Sequence, residues 1–367
     1  MKYLKLSALL SLFVLITLFG CDQNYDSRST TVTIEGENFY INNVITMHGI
    51  SWKGIDMEGL IPNSRMVQGI FDDLNPETVE KWKYPDTGIW DPNRNTEEFV
   101  KAMNDWYVHG LLAFTINLQG GSPEGYSKHQ PWINNSYTEN GELRPEYMAR
   151  LEKILDKSDE LGMVTILGLF YFGQDQNLKD ENAVKNAVTN AINWVLERGY
   201  GNVIIEVANE CDNSNYDLDI IKKPRIPELI KLVKSIKRNG ESLLVGTSFN
   251  GNQIPSNEVA KVSDFILIHG NGVNDPSRIT EMIDQTRALP SYRPMPIVFN
   301  EDDHYDFDNE MNNMIAALKS HASWGYFDFR RDGEGFEDGY QSVPVDWSIS
   351  SARKKAFFNL LKGISGK

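Results

Sequence analysis

Strand-like and helix-like patterns alternate along most of this 367-residue chain, and that alternation restricts the fold more than any other feature. Apolar, β-branched runs at 45–52, 111–118, 163–170, 202–209, 242–247, 264–269, 296–301 and 324–329 read as buried strands. Amphipathic segments at 96–109, 144–161, 182–198, 226–238, 276–288 and 307–320 read as helices between them, with a weak helix at 256–261 and a last one at 350–362. Asn95-Thr96-Glu97-Glu98 and Asp275-Pro276 have the chemistry of helix starts, and Gly110, Gly162, Gly201 and Gly240 sit where helices should stop. Eight such units predict an α/β fold, a (β/α)8 barrel. Periodicity cannot demonstrate closure, so an open doubly wound sheet stays open as the alternative. Residues 31–45 predict small hairpins ahead of the barrel. Long loops after strands 1 and 2, at 54–94 and 119–143, would shape its rim. No repeat or linker divides residues 31–367, which read as one domain.

The N-terminus has different chemistry. Lys2 and Lys5 precede an apolar run from Leu6 to Phe19, the layout of a secretory leader over residues 1–20. Leu18-Phe-Gly-Cys21 resembles a bacterial lipobox, which implies cleavage before Cys21 and acylation of that cysteine. An uncleaved anchor helix and a plain cleaved leader are the alternatives. Residues 21–30 are polar and read as a tether. The expectation is an exported protein, lipid-anchored at the outer membrane or cell surface. Loss of Lys2 and Lys5 takes the net charge from −15 to −17, which argues against nucleic acid as a partner. With Cys21 acylated, Cys211 is the only other cysteine and no intrachain disulfide can form.

In a barrel, catalytic groups lie at the carboxyl ends of strands. Those ends carry Trp52, Gln119, Tyr171, Asn209 with Glu210, Ser248, His269, Glu301 and Trp324. Two strands, 91 residues apart, stop at a glutamate: Val203-Ile-Ile-Glu-Val-Ala-Asn209-Glu210 and Pro296-Ile-Val-Phe-Asn-Glu301. Facing carboxyls are what glycosidic bond cleavage requires, about 5–5.5 Å apart where configuration is retained. Their repulsion in a partly dry cleft would separate the two titrations.

Asn-Glu closing strand 4 and Glu closing strand 7 resembles the clan of retaining β-glycosidases on (β/α)8 barrels, which includes the cellulase and mannanase family 5. The glutamate four residues before Glu210, the Phe39-Tyr-Ile-Asn-Asn opening and His48-Gly-Ile-Ser-Trp52 are similar to stretches of that family. The resemblance implies Glu210 as acid/base, Glu301 as nucleophile and Asn209 on a sugar 2-hydroxyl. It implies an oligo- or polysaccharide substrate and a monomer without a cofactor. The chain departs from the pattern in three places. Thr115 stands where strand 2 of the family has an arginine, Leu169-Phe-Tyr-Phe lacks the strand 3 histidine, and Asn271 replaces a tyrosine. Arg330 and Arg331 are candidates to supply the missing charge, or to form rim salt bridges. A non-catalytic sugar-binding lipoprotein on the same scaffold is the alternative function.

The remaining candidates are weighed singly. His269 would orient a carboxylate or a sugar hydroxyl, and His304 stands evenly between site and structure. Trp52, Tyr171 and Trp324 are candidates to stack on sugar faces or to pack in the core. Gln119 is a rim candidate for substrate, and Trp132 a weaker one. Glu206 faces the side of Glu210 and needs a buried partner. Asp91, Asn93 and Asn95 loosely resemble a calcium loop but lack its glycine, so no metal is expected. Cys211 reads as a packing residue.

Overall fold

The computed structural model describes residues 28–127 and 129–367. Eight short strands line the barrel: β1 (Asn63–Arg65), β2 (Ala113–Asn117), β3 (Val164–Phe170), β4 (Val203–Ala208), β5 (Val245–Gly246), β6 (Ile266–His269), β7 (Ile297–Glu301) and β8 (Gly325–Tyr326). Six are hydrogen-bonded in the order β5-β4-β3-β2-β1-β8, and β6 pairs in parallel with β7. Parallel bridges Val298–Ser323 and Asp302–Tyr326 join β7 to β8. Asp264 N donates to Val245 O at 2.9 Å, which joins β6 to β5. The sheet therefore closes, and the open alternative falls.

Closure follows from burial on both faces. Every residue of β2, β3 and β4 is buried, so these strands need packing inside as well as outside. Inside, Ala113, Val164, Ile166, Ile204, Leu267 and Val298 pack together, and Val32 and Phe39 join them. The last two come from an N-terminal sheet of Val32–Glu35, Asn38–Ile41 and Val44–Ile45. Thr31 bridges Gly201 just ahead of β4, so this sheet plugs the end of the barrel opposite the site.

Outside lie α1 (Pro92–Val108), α2 (Pro145–Leu161), α3 (Glu181–Glu197), α4 (Ile226–Ser235), α5 (Asn257–Val262), α6 (Pro276–Arg287), α7 (Asn313–Lys319) and α8 (Ala352–Ser365). Their limits obey capping chemistry. The Asp91 side chain accepts from Asn93 N and Arg94 N and starts α1 ahead of the expected 96. Gly162 ends α2 at φ 70, in the left-handed region. Along α3, Ala183, Val184, Ala187, Val188, Ala191, Ile192 and Val195 make the inward stripe. Each fully buried Val or Ile there contributes about 1.5–3 kcal/mol.

The expected first strand is corrected. Within 45–52, Ile45 belongs to the N-terminal sheet, and Ser51–Trp52 pairs antiparallel with Ile55–Asp56. Met47 and Lys53, at φ 54 and 48, break any continuous strand. The true β1 lies inside the expected 54–94 loop. Asn-Ser-Arg carries no apolar pattern, yet all three residues are buried. The loop after it still runs to Asp91. Helix α7 is also shorter than expected, because the Asn312 side chain caps it by accepting from Ile315 N.

The leader, Cys21 and the tether up to 27 lie outside the described residues. Arg28 already binds Asp156 at 2.6 Å, and Thr30 N donates to Asp159 Oδ1 at 2.8 Å. Among the described residues no helix is long and apolar enough to cross a membrane.

Candidate active site

Strand β4 runs out into Asn209 and Glu210, and β7 ends on Glu301. One carboxylate oxygen from each glutamate and a ring nitrogen of His269 lie within 4.8 Å of one another. The two carboxylates therefore stand together at the rim with His269 in contact with both. Glu210 adopts φ 51, a left-handed backbone that a non-glycine residue holds only when its surroundings fix it. Here Glu210 N donates to Ser248 Oγ at 2.9 Å, and that hydroxyl donates to Glu206 Oε1 at 2.5 Å. The end of β5 thus sets the turn that presents the Glu210 carboxyl.

The positive charge missing from strand 2 comes from β1. Register pairs Arg65 directly with Thr115, so the arginine stands at the same depth one strand over. Its Nε lies 2.6 Å from Glu301 Oε2, its Nη2 donates to Asn209 Oδ1 at 2.7 Å, and its Nη1 is 3.6 Å from Glu206 Oε2. Glu206 is thus hydrogen-bonded by Ser248 at Oε1, while its Oε2 faces the Arg65 charge without a hydrogen bond. Asn209 meets this arginine through its Oδ1. Arg330 and Arg331 do not take this role. The Arg330 guanidinium donates to the carbonyls of Gly335, Phe336 and Pro344, and Arg331 lies over Tyr305 and Phe329.

Burial pushes the Glu301 carboxyl above the usual carboxylate range, with Arg65 and His269 pulling against it. His269 is fully buried, which disfavours its charge, but Glu301 and then Glu210 outweigh burial and raise its pKa. Its Nδ1 is 3.1 Å from Glu210 Oε1 and 3.7 Å from Glu301 Oε2, so it bridges the pair. Asn271 Nδ2 donates to Glu301 Oε1 at 2.9 Å and also to the Tyr126 hydroxyl. Tyr126, from the loop after β2, donates in turn to Asp303 Oδ2 at 3.0 Å. A phenol from another loop thus stands beside the asparagine that replaces the expected tyrosine.

The aromatic candidates separate. Tyr171 is buried just past the end of β3 with its hydroxyl 3.3 Å from Ser122 Oγ, and burial, then the Glu301 charge, raises its pKa. Trp324 is core, 1% exposed, with Nε1 donating to Asp302 Oδ2 at 2.8 Å and Phe307 and Phe357 against its ring. Trp52 lies in the hairpin before β1, with Lys53 over its ring, and is not at a barrel strand end. Gln119 is buried and ties loops together, its Nε2 donating to Asn135 Oδ1 and Gln174 O. His304 has both ring nitrogens engaged, Nδ1 with Asp302 at 2.7 Å and Nε2 with Asn274 at 3.2 Å. Burial raises the Cys211 thiol pKa, which makes it a poor nucleophile.

Asp91 and Asn95 build a helix start rather than a calcium loop, since Asn95 bonds Gln68 O and Trp347 Nε1. Two groups are close enough to hold a cation: Glu210, His269 and Glu301, and Asp302, Asp303 and His304. In the first, Arg65 and Asn271 already occupy both Glu301 oxygens. In the second, Asp302 serves Trp324, Asn313 and His304. Asn213 also joins the group, its Nδ2 donating to Glu210 Oε2 at 3.3 Å, and like Arg65 and Tyr126 it is not legible in the sequence. No periodic signal marks them, because they are polar residues in non-periodic stretches.

No protein-family model matches the chain, and no curated protein matches it. Solved structures share its fold. An endo-1,4-β-mannanase from Rhizomucor miehei is 12% identical with TM-score 0.57, over 92% of this chain and 100% of that one. A glycoside hydrolase family 5 enzyme from Prevotella bryantii B14 is 11% identical with TM-score 0.53, over 83% and 96%. Another family 5 glycoside hydrolase, from Bacteroides vulgatus ATCC 8482, is 13% identical with TM-score 0.52, over 89% and 69%. At these identities the likeness is one of fold, the α/β barrel.

Proposed function

We propose that this protein is a retaining glycoside hydrolase that cleaves β-linked glycans by double displacement. The observation that carries the reading is the Glu210–Glu301 pair, with oxygens within 4.8 Å and only Glu301 held by an arginine. Glu301 attacks the anomeric carbon while Glu210 delivers a proton to the departing glycosidic oxygen, leaving a glycosyl ester on Glu301. Glu210 then takes a proton from water, whose oxygen attacks the same carbon and releases Glu301. Arg65 and Asn271 fix the Glu301 oxygens before reaction, and Asn209 offers Nδ2 to the 2-hydroxyl. The fold shared with an endo-1,4-β-mannanase and family 5 hydrolases supports the class of substrate. Two absences favour a non-catalytic binder, the strand 2 arginine and the strand 3 histidine, and Arg65 beside Glu301 answers the first.

The test compares Glu301→Gly and Glu210→Ala on aryl β-glycosides and β-1,4-glucan and mannan. Both should lose at least about 10³ in kcat/KM. Azide should rescue Glu301→Gly with an α-glycosyl azide product, and Glu210→Ala with a β-glycosyl azide. Wild-type turnover in Glu301→Gly overturns the proposal. The leader and Cys21 extend it to an exported, lipid-anchored enzyme, and Cys21→Ser should move the activity from the membrane to the soluble fraction.

A further inference from the structure

Asp175 is a fully buried carboxylate that the double displacement does not use. It lies in the loop after β3, and aspartate is rarely buried without compensation. Here the compensation comes from backbone. Its Oδ2 accepts from Asp217 N at 2.9 Å and from Leu218 N at 2.8 Å, both in the loop after β4. Hydrogen bonds to an ionised oxygen are roughly twice as strong as neutral ones. Burial pushes the carboxyl up to about 6, against the pull of the Leu218 and Asp217 amides. One buried charge thus pins one loop to another.

The pinned loop carries contacts to the site. Residues 213–216 close a turn, with Asn215 N donating to Asn213 Oδ1 at 3.1 Å and Tyr216 N to Asn213 O at 3.5 Å. Both ends of this turn reach the end of β4. Asn213 donates from Nδ2 to Glu210 Oε2 at 3.3 Å, and the Tyr216 hydroxyl donates to Asn209 O at 2.6 Å. The loop after β5 braces the turn as well: Asn213 Nδ2 also donates to Asn250 Oδ1 at 3.1 Å, and Asn250 N donates to Asp212 Oδ1 at 2.8 Å. The amides that Asp175 holds follow the turn directly, so the pin sets where Asn213 and Tyr216 stand.

We propose that Asp175 is a positioning residue for proton delivery: through the amides of Asp217 and Leu218 it holds the 213–216 turn, and the turn holds Glu210 through Asn213 and the Asn209 backbone through Tyr216. The proposal rests on the hydrolase reading and deepens it, because it concerns the proton given to the leaving group and not the attack by Glu301. A misplaced Glu210 costs most where the departing oxygen needs that proton, and least where the leaving group departs as a stable anion.

Asp175→Asn keeps the side-chain shape and removes the charge, and Asn213→Ala cuts the contact to Glu210 at a half-buried position. kcat/KM is read on phenyl and 2,4-dinitrophenyl β-cellobiosides and β-mannobiosides, since a departing phenolate needs the proton and a dinitrophenolate does not. Each variant should lose about tenfold on the phenyl substrates and less than about twofold on the dinitrophenyl ones. The double variant should lose no more than about the larger single loss, because both changes act through one contact. A merely structural role for Asp175 would lower both substrate classes together. By hydrogen exchange, the wild-type amides of Asp217 and Leu218 should be at least about tenfold slower than that of exposed Ser214, and Asp175→Asn should quicken them. Equal losses on the two leaving groups, or additive losses in the double variant, overturn the proposal while the hydrolase stands. Fast exchange at 217 and 218 in the wild type overturns it even where Asp175→Asn does not fold. If the wild type cleaves none of these substrates, the hydrolase reading and the positioning role fall together, and slow exchange at 217 and 218 supports the pin alone.

Discussion

Arg65 Nε and Glu301 Oε2 meet at 2.6 Å although 236 residues separate them and they stand on β1 and β7, with β8 between. Both are nearly inaccessible to water, so the contact is a buried ion pair extended by Asn209 and Glu206. Removing one partner of such a pair strands a charge.

Arg65→Ala should therefore cost about 3–5 kcal/mol of stability and lower kcat/KM by at least about 10². Arg65→Lys should fall between, because one ammonium cannot serve Glu301, Asn209 and Glu206 in a fixed fork. Urea unfolding and steady-state kinetics on the two variants check both expectations.

The acid limb of kcat/KM should report Glu301. As the proposed nucleophile its carboxyl would react ionised, and burial places its pKa above the ordinary value, so activity should fall as pH drops through that raised pKa. The limb should lie above the roughly 4.3 of a free glutamate. Arg65 opposes the shift, so Arg65→Met should move whatever limb remains further up. A pH profile of kcat/KM on both forms measures it.

His269 has a folded pKa above its unfolded value, through Glu301 and Glu210 acting against burial. Its favourable contribution is therefore full below about pH 6.5 and lost as pH rises through the folded pKa. The stability difference between wild type and His269→Gln should be larger at pH 5 than at pH 9, read by denaturant unfolding at each pH.

Trp324→Phe should weaken the fold by about 1–3 kcal/mol, since the Asp302 oxygen that accepts from its indole loses a buried donor. The KM for oligosaccharides should stay within about twofold of wild type. A large rise in KM with stability intact would return Trp324 to the sugar-binding surface.

Gly120 has φ 78, and a Cβ there would come within 2.2 Å of the Tyr171 Cβ. Gly120→Ala should displace Tyr171 from the site, lowering kcat/KM and the melting temperature together. Melting and kinetics on one preparation test the coupling.

The regular elements were legible to the extent that burial is periodic. Strands β3, β4 and β7 are mainly apolar and wholly buried, and α2 and α3 lie within one residue of expectation because Pro145, Gly162 and Asp180 mark their ends. Strand β1 was not legible. Its residues Asn63, Ser64 and Arg65 are buried by neighbours that satisfy them, with Asn63 bonded to Phe299 O and Ser64 to Tyr326 O. Polarity at such a position resembles a loop, so an earlier segment with better strand composition took its place.

The sequence by itself determined the alternation of strands and helices, and placed Asn209, Glu210 and Glu301 at strand ends through local backbone preference and hydrophobic pattern. Only the tertiary structure decided which cation attends Glu301 and that Trp324 is core. Those outcomes depend on contacts between residues far apart in the chain. Register across the closed sheet sets Arg65 beside Thr115 and within reach of Glu301, and no local pattern carries that information.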